Sequence, residues 1–197
     1  VFSFYATKSI TCGEGGAIIT NHKKYANIIK SISNNGMTKP AFKRFQNNKY
    51  IPWDVYNYGF KANLSDINAS ILEEQVINYN KTAKIKKKIF KKYKKYLEKI
   101  EQLSFPRENQ NKDRDYYLFP IGVKSSLRDK LISYLLKNKI FVTVNFKSIT
   151  ELSYYKKKYQ KFDCKESSKW GKETLSLPFH SKITEKEIKT ISNKINE

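Results

Sequence analysis

The stretch FSFYATKSITCGEGGAIITN, residues 2–21, decides how the rest of the chain is read. Two apolar, β-prone runs, Phe2–Tyr5 and Ala17–Thr20, enclose a short loop that carries one lysine, Lys8, and then the glycine-rich run Gly13-Glu14-Gly15-Gly16. The pattern predicts strand, loop, strand. Lys8 has small and hydroxylated neighbours, whereas most other lysines of the chain stand in charged runs. A lysine amine becomes a nucleophile when burial or nearby cations lower its pKa, and a loop at the end of a core strand supplies such a setting. Taken alone, a loop lysine is ordinarily a solvated one, so the weight falls on the sequence around it.

The chain has 197 residues, 39% of them hydrophobic and 14% aromatic, enough for a packed core in one sizeable domain or two small ones. No apolar run approaches the roughly 20 residues that cross a membrane, and the start lacks the charged-then-apolar pattern of a secretory signal. The expected location is cytoplasmic. Cys12 and Cys164 form neither a framework nor a C-x-x-C pair, so reduced thiols are expected. The sequence begins without methionine, inside a strand-like run, and reads as the later part of a longer protein.

A formal charge of +21 invites a nucleic-acid reading. Only four of the basic residues are arginines, Arg44, Arg107, Arg114 and Arg128, whereas base readout and phosphate forks favour arginine. The densest run, KIKKKIFKKYKKYLEKIEQL from Lys84, places Ile85, Ile89, Tyr93, Tyr96, Leu97 and Ile100 on one helical face with the lysines opposite. That is the pattern of a helix with a solvated back; a polyanion partner is the second reading.

Along the chain, the two strands lead into a helix over 23–33, stopped by Asn34-Asn35-Gly36, and a polar loop runs to about Tyr58. Ser65 caps a helical pattern that continues to about Ile100 and is expected either to break near Asn78–Asn80 or to bridge two domains. Then come a strand over 116–123, a helix over 126–138, a strand over 140–146, helical pieces around 152–160 and 164–173, the run LSLPF, and a final helix after Thr184 with Glu187 set for a capping box. Alternating strands and helices indicate an α/β or α+β fold.

Other chemistries lack their patterns. CGEGGA is too short for a dinucleotide fingerprint, and ATKS lacks the glycines of a phosphate loop. His22, His180 and the cysteines do not stand at zinc-ligand spacing, so no metal site is expected, and no nucleophile elbow marks a serine triad.

Four segments in order resemble the DegT/DnrJ/StrS family of pyridoxal-phosphate-dependent sugar aminotransferases. FSFYATKSITCGEGGAIITN is similar to that family's Schiff-base segment, F-S-F-x-x-x-K-x-I-x-x-G-E-G-G, and this motif is highly specific. YGFKANLSDINASILEEQ, KIFVTVNFKSITELSYYKKKY and LSLPFHSKITEKEIKTISNKI resemble, respectively, the segment opening the helix to the small domain, the small-domain strand with its substrate loop, and the C-terminal segment. The resemblance implies an α/β fold of the aspartate-aminotransferase type (PLP-dependent transferase fold type I). Residues 1–75 would be the C-terminal part of the cofactor-binding large domain, 76–103 a connecting helix and 104–197 the small domain.

Carried over by position, Lys8 matches the Schiff-base lysine that then moves the proton, and Ser3 a ligand of the cofactor phosphate. Gly15 and Gly16 would let the backbone turn tightly behind the lysine. Lys61 and Asn63 match the region that reaches the phosphate of the neighbouring subunit in a homodimer, although many members have asparagine where Lys61 stands. Tyr5, Asn145 and Phe146 fall on the substrate side, with Asn145 replacing a frequent histidine. Related sugar dehydratases carry histidine in place of the lysine, so Lys8 argues for transamination. The implied reaction moves an amino group, from glutamate, onto a keto group of a nucleotide-linked deoxysugar, with pyridoxal 5'-phosphate as cofactor and no role for membrane or nucleic acid. Family members draw the cofactor's ring-nitrogen aspartate and aromatic stacking residue from sequence upstream of the lysine strand, so residues 1–197 alone are expected to be inactive.

Overall fold

The structure, a computed structural model, describes residues 1–37, 45, 46, 48–107, 115–159 and 164–197. It divides into two compact units, Val1–Asn78 and Tyr79–Glu197.

In the first unit, β1 (Phe2–Ser3) pairs antiparallel with β2 (Gly16–Ala17) in the register Phe2↔Ala17, Ser3↔Gly16. Both strands are shorter than the apolar runs 2–5 and 17–20 predict. The Phe4 N–H still donates to the Gly15 carbonyl at 2.8 Å, but the Phe4 carbonyl takes the Cys12 N–H at 3.1 Å, so the chain folds across itself and the ladder ends. Ile18 and Ile19 stand exposed and outside any strand.

Helix α1 (Lys23–Ile32) stops where the sequence places its stop: Asn35 (φ 58°) and Gly36 (φ 71°) take the left-handed conformation that asparagine and glycine accept most readily. A side chain at Gly36 would collide with the Asn57 carbonyl, so the 57–62 segment lies tight against this turn. A hairpin, β3 (Phe45–Gln46) with β4 (Lys49–Tyr50), occupies part of the expected loop; residues 38–44 and 47 lie outside the described residues.

Helix α2 (Asp66–Ile77) begins under the Ser65 cap, whose Oγ accepts the Asn68 N–H at 3.2 Å. The long helical pattern breaks at Asn78, whose side-chain amide donates to the Glu74 carbonyl at 3.0 Å, a local bond that competes with continuing the helix. Helix α2 has no buried residues: Ile67 is 75% and Val76 55% exposed.

The second unit holds the main core. Helix α3 (Tyr79–Leu97) buries Ile89, Phe90, Tyr93 and Leu97. The predicted face was shifted by one position at its start, since Ile85 sits at the exposed margin while Phe90 packs on Phe119 with ring centroids 4.9 Å apart. Tyr93 is fully buried, stacks on Phe119 at 4.8 Å and donates its hydroxyl to the Pro178 carbonyl at 2.9 Å. Burial, helped by the Glu187 carboxylate, pushes that hydroxyl well above its usual pKa, so it stays a donor.

Three antiparallel strands in the order β5 (Leu103–Ser104), β6 (Phe119–Val123), β7 (Thr174–Leu177) form the sheet. Phe119, Ile121, Leu175 and Leu177 share the face that joins the core. On the other face a Cβ at Gly122 would lie 3.0 Å from the Trp170 ring and collide with Ser104. The strand predicted over 116–123 starts only at Phe119, opposite Leu177, because β7 is followed by Pro178, which has no N–H to extend the ladder.

Helix α4 (Ser125–Lys137) ends in a Schellman turn: Lys139 N–H donates to Leu136 and Ile140 N–H to Leu135, both at 2.9 Å. Lys139 holds the left-handed position (φ 61°) that glycine usually fills, at about 1 kcal/mol or more for a residue with a Cβ. The strand predicted over 140–146 shrinks to one bridge, Thr143↔Ser176. Its flanking Phe141 and Phe146 point outward, 75% and 66% exposed. A short 3-10 turn (Ile149–Glu151), α5 (Ser153–Lys158) and α6 (Lys165–Glu173) follow. The closing helix α7 (Glu185–Asn196) carries the predicted capping box: Thr184 Oγ1 accepts the Glu187 N–H at 3.2 Å and Glu187 Oε2 accepts the Thr184 N–H at 2.7 Å. Both cysteines are free thiols, Cys12 buried and Cys164 exposed. Among the described residues no helix is long and apolar enough to cross a membrane.

Candidate active site

The lysine loop is anchored at both ends by bonds that the sequence alone does not reveal. At its start the Phe4 carbonyl accepts from the Cys12 N–H at 3.1 Å and from the Thr11 hydroxyl at 3.0 Å. Inside it the Lys8 N–H donates to the Tyr5 carbonyl at 2.9 Å, closing a tight turn that carries Lys8 in a half-buried position. At its end the Glu14 carbonyl accepts twice, from Cys12 Sγ at 3.3 Å and from the Asn68 side-chain amide at 3.2 Å. Asn68 stands in the first turn of α2, so the helix start is tied to the glycine run.

The glycines divide their work differently from the expectation. Gly13, at φ 84°, makes the left-handed turn, with open space around it. Gly16 serves close approach, since a Cβ there would stand 2.8 Å from the Phe2 carbonyl oxygen of the paired strand. Gly15 is closed by neighbours: its Cβ would meet Cys12 Sγ at 2.9 Å and Leu64 at 3.0 Å.

A cleft of about 320 Å³ opens beside this turn, lined by Glu14, Gly15, Gly16, Asn63, Ser65 and Asn68 among others. Asn63 thus shares a cleft with the glycine run. Lys61 is exposed, does not line the cleft, and its backbone bridges to Asn34. Ser3 and Tyr5 are both exposed, and Ser3 Oγ accepts a long bond from the Tyr5 N–H at 3.4 Å.

Asn145 and Phe146 belong to the second unit. Asn145 Oδ1 accepts from the Thr143 hydroxyl at 2.8 Å. The backbone just beyond them backs onto Gly171, whose Cβ would meet the Ser148 nitrogen at 2.8 Å and the Phe146 carbonyl at 3.2 Å. Ser148, buried, links to Thr150 at 2.8 Å and to Ser167 at 3.0 Å, so the loop is set by a chain of hydroxyls.

Three residues of the lysine loop and its anchors escaped sequence reasoning: Thr11, Asn68 and Ser9. The Ser9 hydroxyl is buried with no hydrogen-bond partner among the described residues. Thr11 and Ser9 were visible only as hydroxylated neighbours of the lysine, and nothing in one sequence joins Asn68 to a carbonyl 54 positions earlier.

The family profile described as the DegT/DnrJ/EryC1/StrS aminotransferase family matches residues 1–196. The chain belongs to this family. As a member of the DegT/DnrJ/EryC1/StrS group it is 27% identical, over 98% of its length, to the UDP-4-amino-4,6-dideoxy-N-acetyl-beta-L-altrosamine transaminase of Campylobacter jejuni, of which it covers 50%. The fold agrees with Helicobacter pylori PseC, an aminotransferase of pseudoaminic acid biosynthesis, at TM-score 0.87 and 20% identity, over 99% of this chain and 51% of that one. It agrees also with the PMP form of the Streptococcus pneumoniae sugar aminotransferase Spr1654, at TM-score 0.80 and 25% identity, over 98% and 53%. The chain spans about half the length of the curated relatives it matches. Its α/β architecture is therefore that of the DegT-type aminotransferases.

Proposed function

We propose that this chain supplies the cofactor-anchoring lysine of a pyridoxal 5'-phosphate-dependent aminotransferase, one that moves an amino group from glutamate onto a keto group of a nucleotide-linked deoxysugar. The observation that carries the reading is the setting of Lys8: half-buried, on a loop anchored at Phe4 and Glu14, beside a glycine turn whose cleft includes Asn63. The family match over 1–196 favours it over binding of nucleic acid or another polyanion.

The residues fit the cofactor. Ser9 Oγ, buried next to Lys8 and without a partner among the described residues, suits a group that brings its own acceptor oxygens. When bound, pyridoxal phosphate supplies the electron sink for charge developing at the amino-bearing carbon. Lys8 holds the group and moves the proton between carbon and cofactor side; the turn closed on Tyr5 limits how far its amine can stray. Ser3 contributes a hydroxyl toward the phosphate, and Lys61 and Asn63 reach the phosphate of a partner subunit in a homodimer. Substrate binding is assigned to Tyr5 in the first unit and to Asn145 and Phe146 in the second. In this reading 1–75 closes the large domain, 76–103 connects, 104–197 forms the small domain, and the enzyme works in the cytoplasm.

The experiment is covalent trapping. The protein is incubated with pyridoxal phosphate, reduced with borohydride and digested, and the modified peptide is mapped. A label concentrated on Lys8 is expected, against a background of more than thirty competing lysines. Labelling spread over the surface lysines, or salt-sensitive binding of arbitrary DNA with no labelled lysine, would overturn the proposal.

A further inference from the structure

The second unit carries a cleft that the proposed chemistry does not use. It has a volume of about 410 Å³ and lies between the turn after α4, the segment after β7 and the first turns of α7. That volume is in the range of small-molecule sites. Its floor is apolar, formed by Ile140, Ile183 and Ile191, each at most 9% exposed. At its edge stands Phe141, 75% exposed, an aromatic ring held in water with its lower neighbours already buried.

The rim carries two lysines and an imidazole. Lys139, Lys186 and His180 come from three separate segments, and neither lysine is paired with a carboxylate among the described residues. Glu187, the acid of the lining, turns its Oε2 into the capping box with Thr184, where the backbone N–H and the hydroxyl both donate at 2.7 Å. Lys139 reaches the rim only because it occupies the left-handed residue of the Schellman turn; glycine would fit that backbone with less strain and would leave the cleft without this cation.

We propose that this cleft binds a small aromatic phosphate, its ring between Phe141 and the isoleucine floor and its dianionic group between Lys139, Lys186 and His180. A dianion matches two lysines and an imidazole arriving from different directions better than a single carboxylate does, and a flat ring matches an exposed phenylalanine beside an apolar floor. The ring belongs either to a nucleoside or to a simple aryl group. The site lies wholly within the second unit and stands whether or not Lys8 anchors a cofactor.

The test is calorimetric titration of the protein with adenosine monophosphate and with phenyl phosphate, and with adenosine, phenol and inorganic phosphate as their half-ligands. At least one phosphate ester should bind at least tenfold more tightly than either of its own halves, and the tighter of the two identifies the source of the ring. Lys139→Gly, which suits the turn and removes only the cation, and Lys186→Gln should each weaken binding several-fold. Phe141→Ala should weaken it about tenfold, equivalent to about 1.4 kcal/mol. All three side chains are exposed, so the fold is kept, and Lys8→Ala should bind as the unaltered protein does. The proposal fails if neither ester binds more tightly than its halves, if binding survives all three cleft variants, or if Lys8→Ala abolishes it while the cleft variants do not.

Discussion

A methyl group added at position 16 tests whether the strand pair really sets the lysine loop. In Gly16→Ala the new Cβ would lie 2.8 Å from the Phe2 carbonyl oxygen, whereas ordinary van der Waals contact begins at 3.4 Å, so β1 and β2 must open by about 0.6 Å. The obstructing atom is backbone and cannot rotate aside. It sits inside the two-pair ladder that feeds the lysine loop, so the strain falls on Ser3↔Gly16 and on the Phe4–Gly15 bond beyond it. Overpacking of this kind costs about 1–3 kcal/mol. A displacement near 1 Å costs a positioned reacting group on the order of 100-fold, so an opening about half as large predicts roughly tenfold slower borohydride trapping of pyridoxal phosphate on Lys8. The control is Gly13→Ala, where the Cβ meets nothing within 4 Å and only the φ of 84° is strained. It should lose about 1 kcal/mol of stability and label at the normal rate. Urea unfolding and the time course of labelling report both quantities. The reasoning is refuted if Gly16→Ala labels at the normal rate with an unchanged midpoint, or if Gly13→Ala slows labelling equally.

In the full-length enzyme, Lys8→Ala and Lys8→Arg should both abolish transamination and the mapped label, since the guanidinium stays protonated; turnover retained in either removes Lys8 from its role. Tyr93→Phe keeps the buried ring and deletes the bond to Pro178, so the unfolding free energy should drop by about 1 kcal/mol, while Tyr93→Ala should lose about 3–5 kcal/mol; equal losses would mean the hydroxyl, not the ring, dominates. Three carboxyls of the second unit are held below the usual glutamate range: Glu185 by Lys92 and Tyr96, Glu187 by the Thr184 N–H and hydroxyl, and Glu197 by Lys194 and Tyr134. Groups with depressed folded-state pKa values stabilise above their unfolded pKa and lose that contribution as pH falls through the folded value, so melting temperatures should hold near neutrality and drop below about pH 4. Thr184→Ala should cost about 1 kcal/mol at pH 7 and less at pH 3, because one of the two bonds it deletes runs from the hydroxyl to the Glu187 carboxylate and weakens when that group is protonated; an equal cost at both pH values counts against the mechanism.

Local signals were legible where a single residue type decides the backbone. Ser65 and Thr184 start helices because a hydroxyl meets an orphan N–H, and Asn35 and Gly36 stop α1 because they accept positive φ. The α3 core face was legible from periodicity to within one position. Strand extents were not, since an apolar run such as IFVTVNF declares β-propensity but not whether a neighbour lies alongside; only Thr143 finds one. At the site the motif pointed to Lys8 and to the glycines, while the bonds that hold the loop, from Asn68 and Thr11, depend on which carbonyls the fold leaves turned inward. The same limit explains Gly13 and Gly16: composition shows that glycine is present, and only the backbone shows which one turns and which one yields room.

The two thiols of the chain stand in opposite surroundings. Cys12 is 4% exposed with its sulfur turned onto the Glu14 carbonyl, whereas Cys164 sits exposed ahead of α6. Alkylating reagents need an accessible thiolate, so a maleimide dye or spin label added under native conditions goes to Cys164 and spares the lysine loop. The protein thereby carries a natural attachment point for fluorescence or resonance measurements in its second unit, and no cysteine need be removed from the lysine loop to use it. Cys12 becomes reactive only when the first unit opens, and its alkylation rate is a clock for that opening.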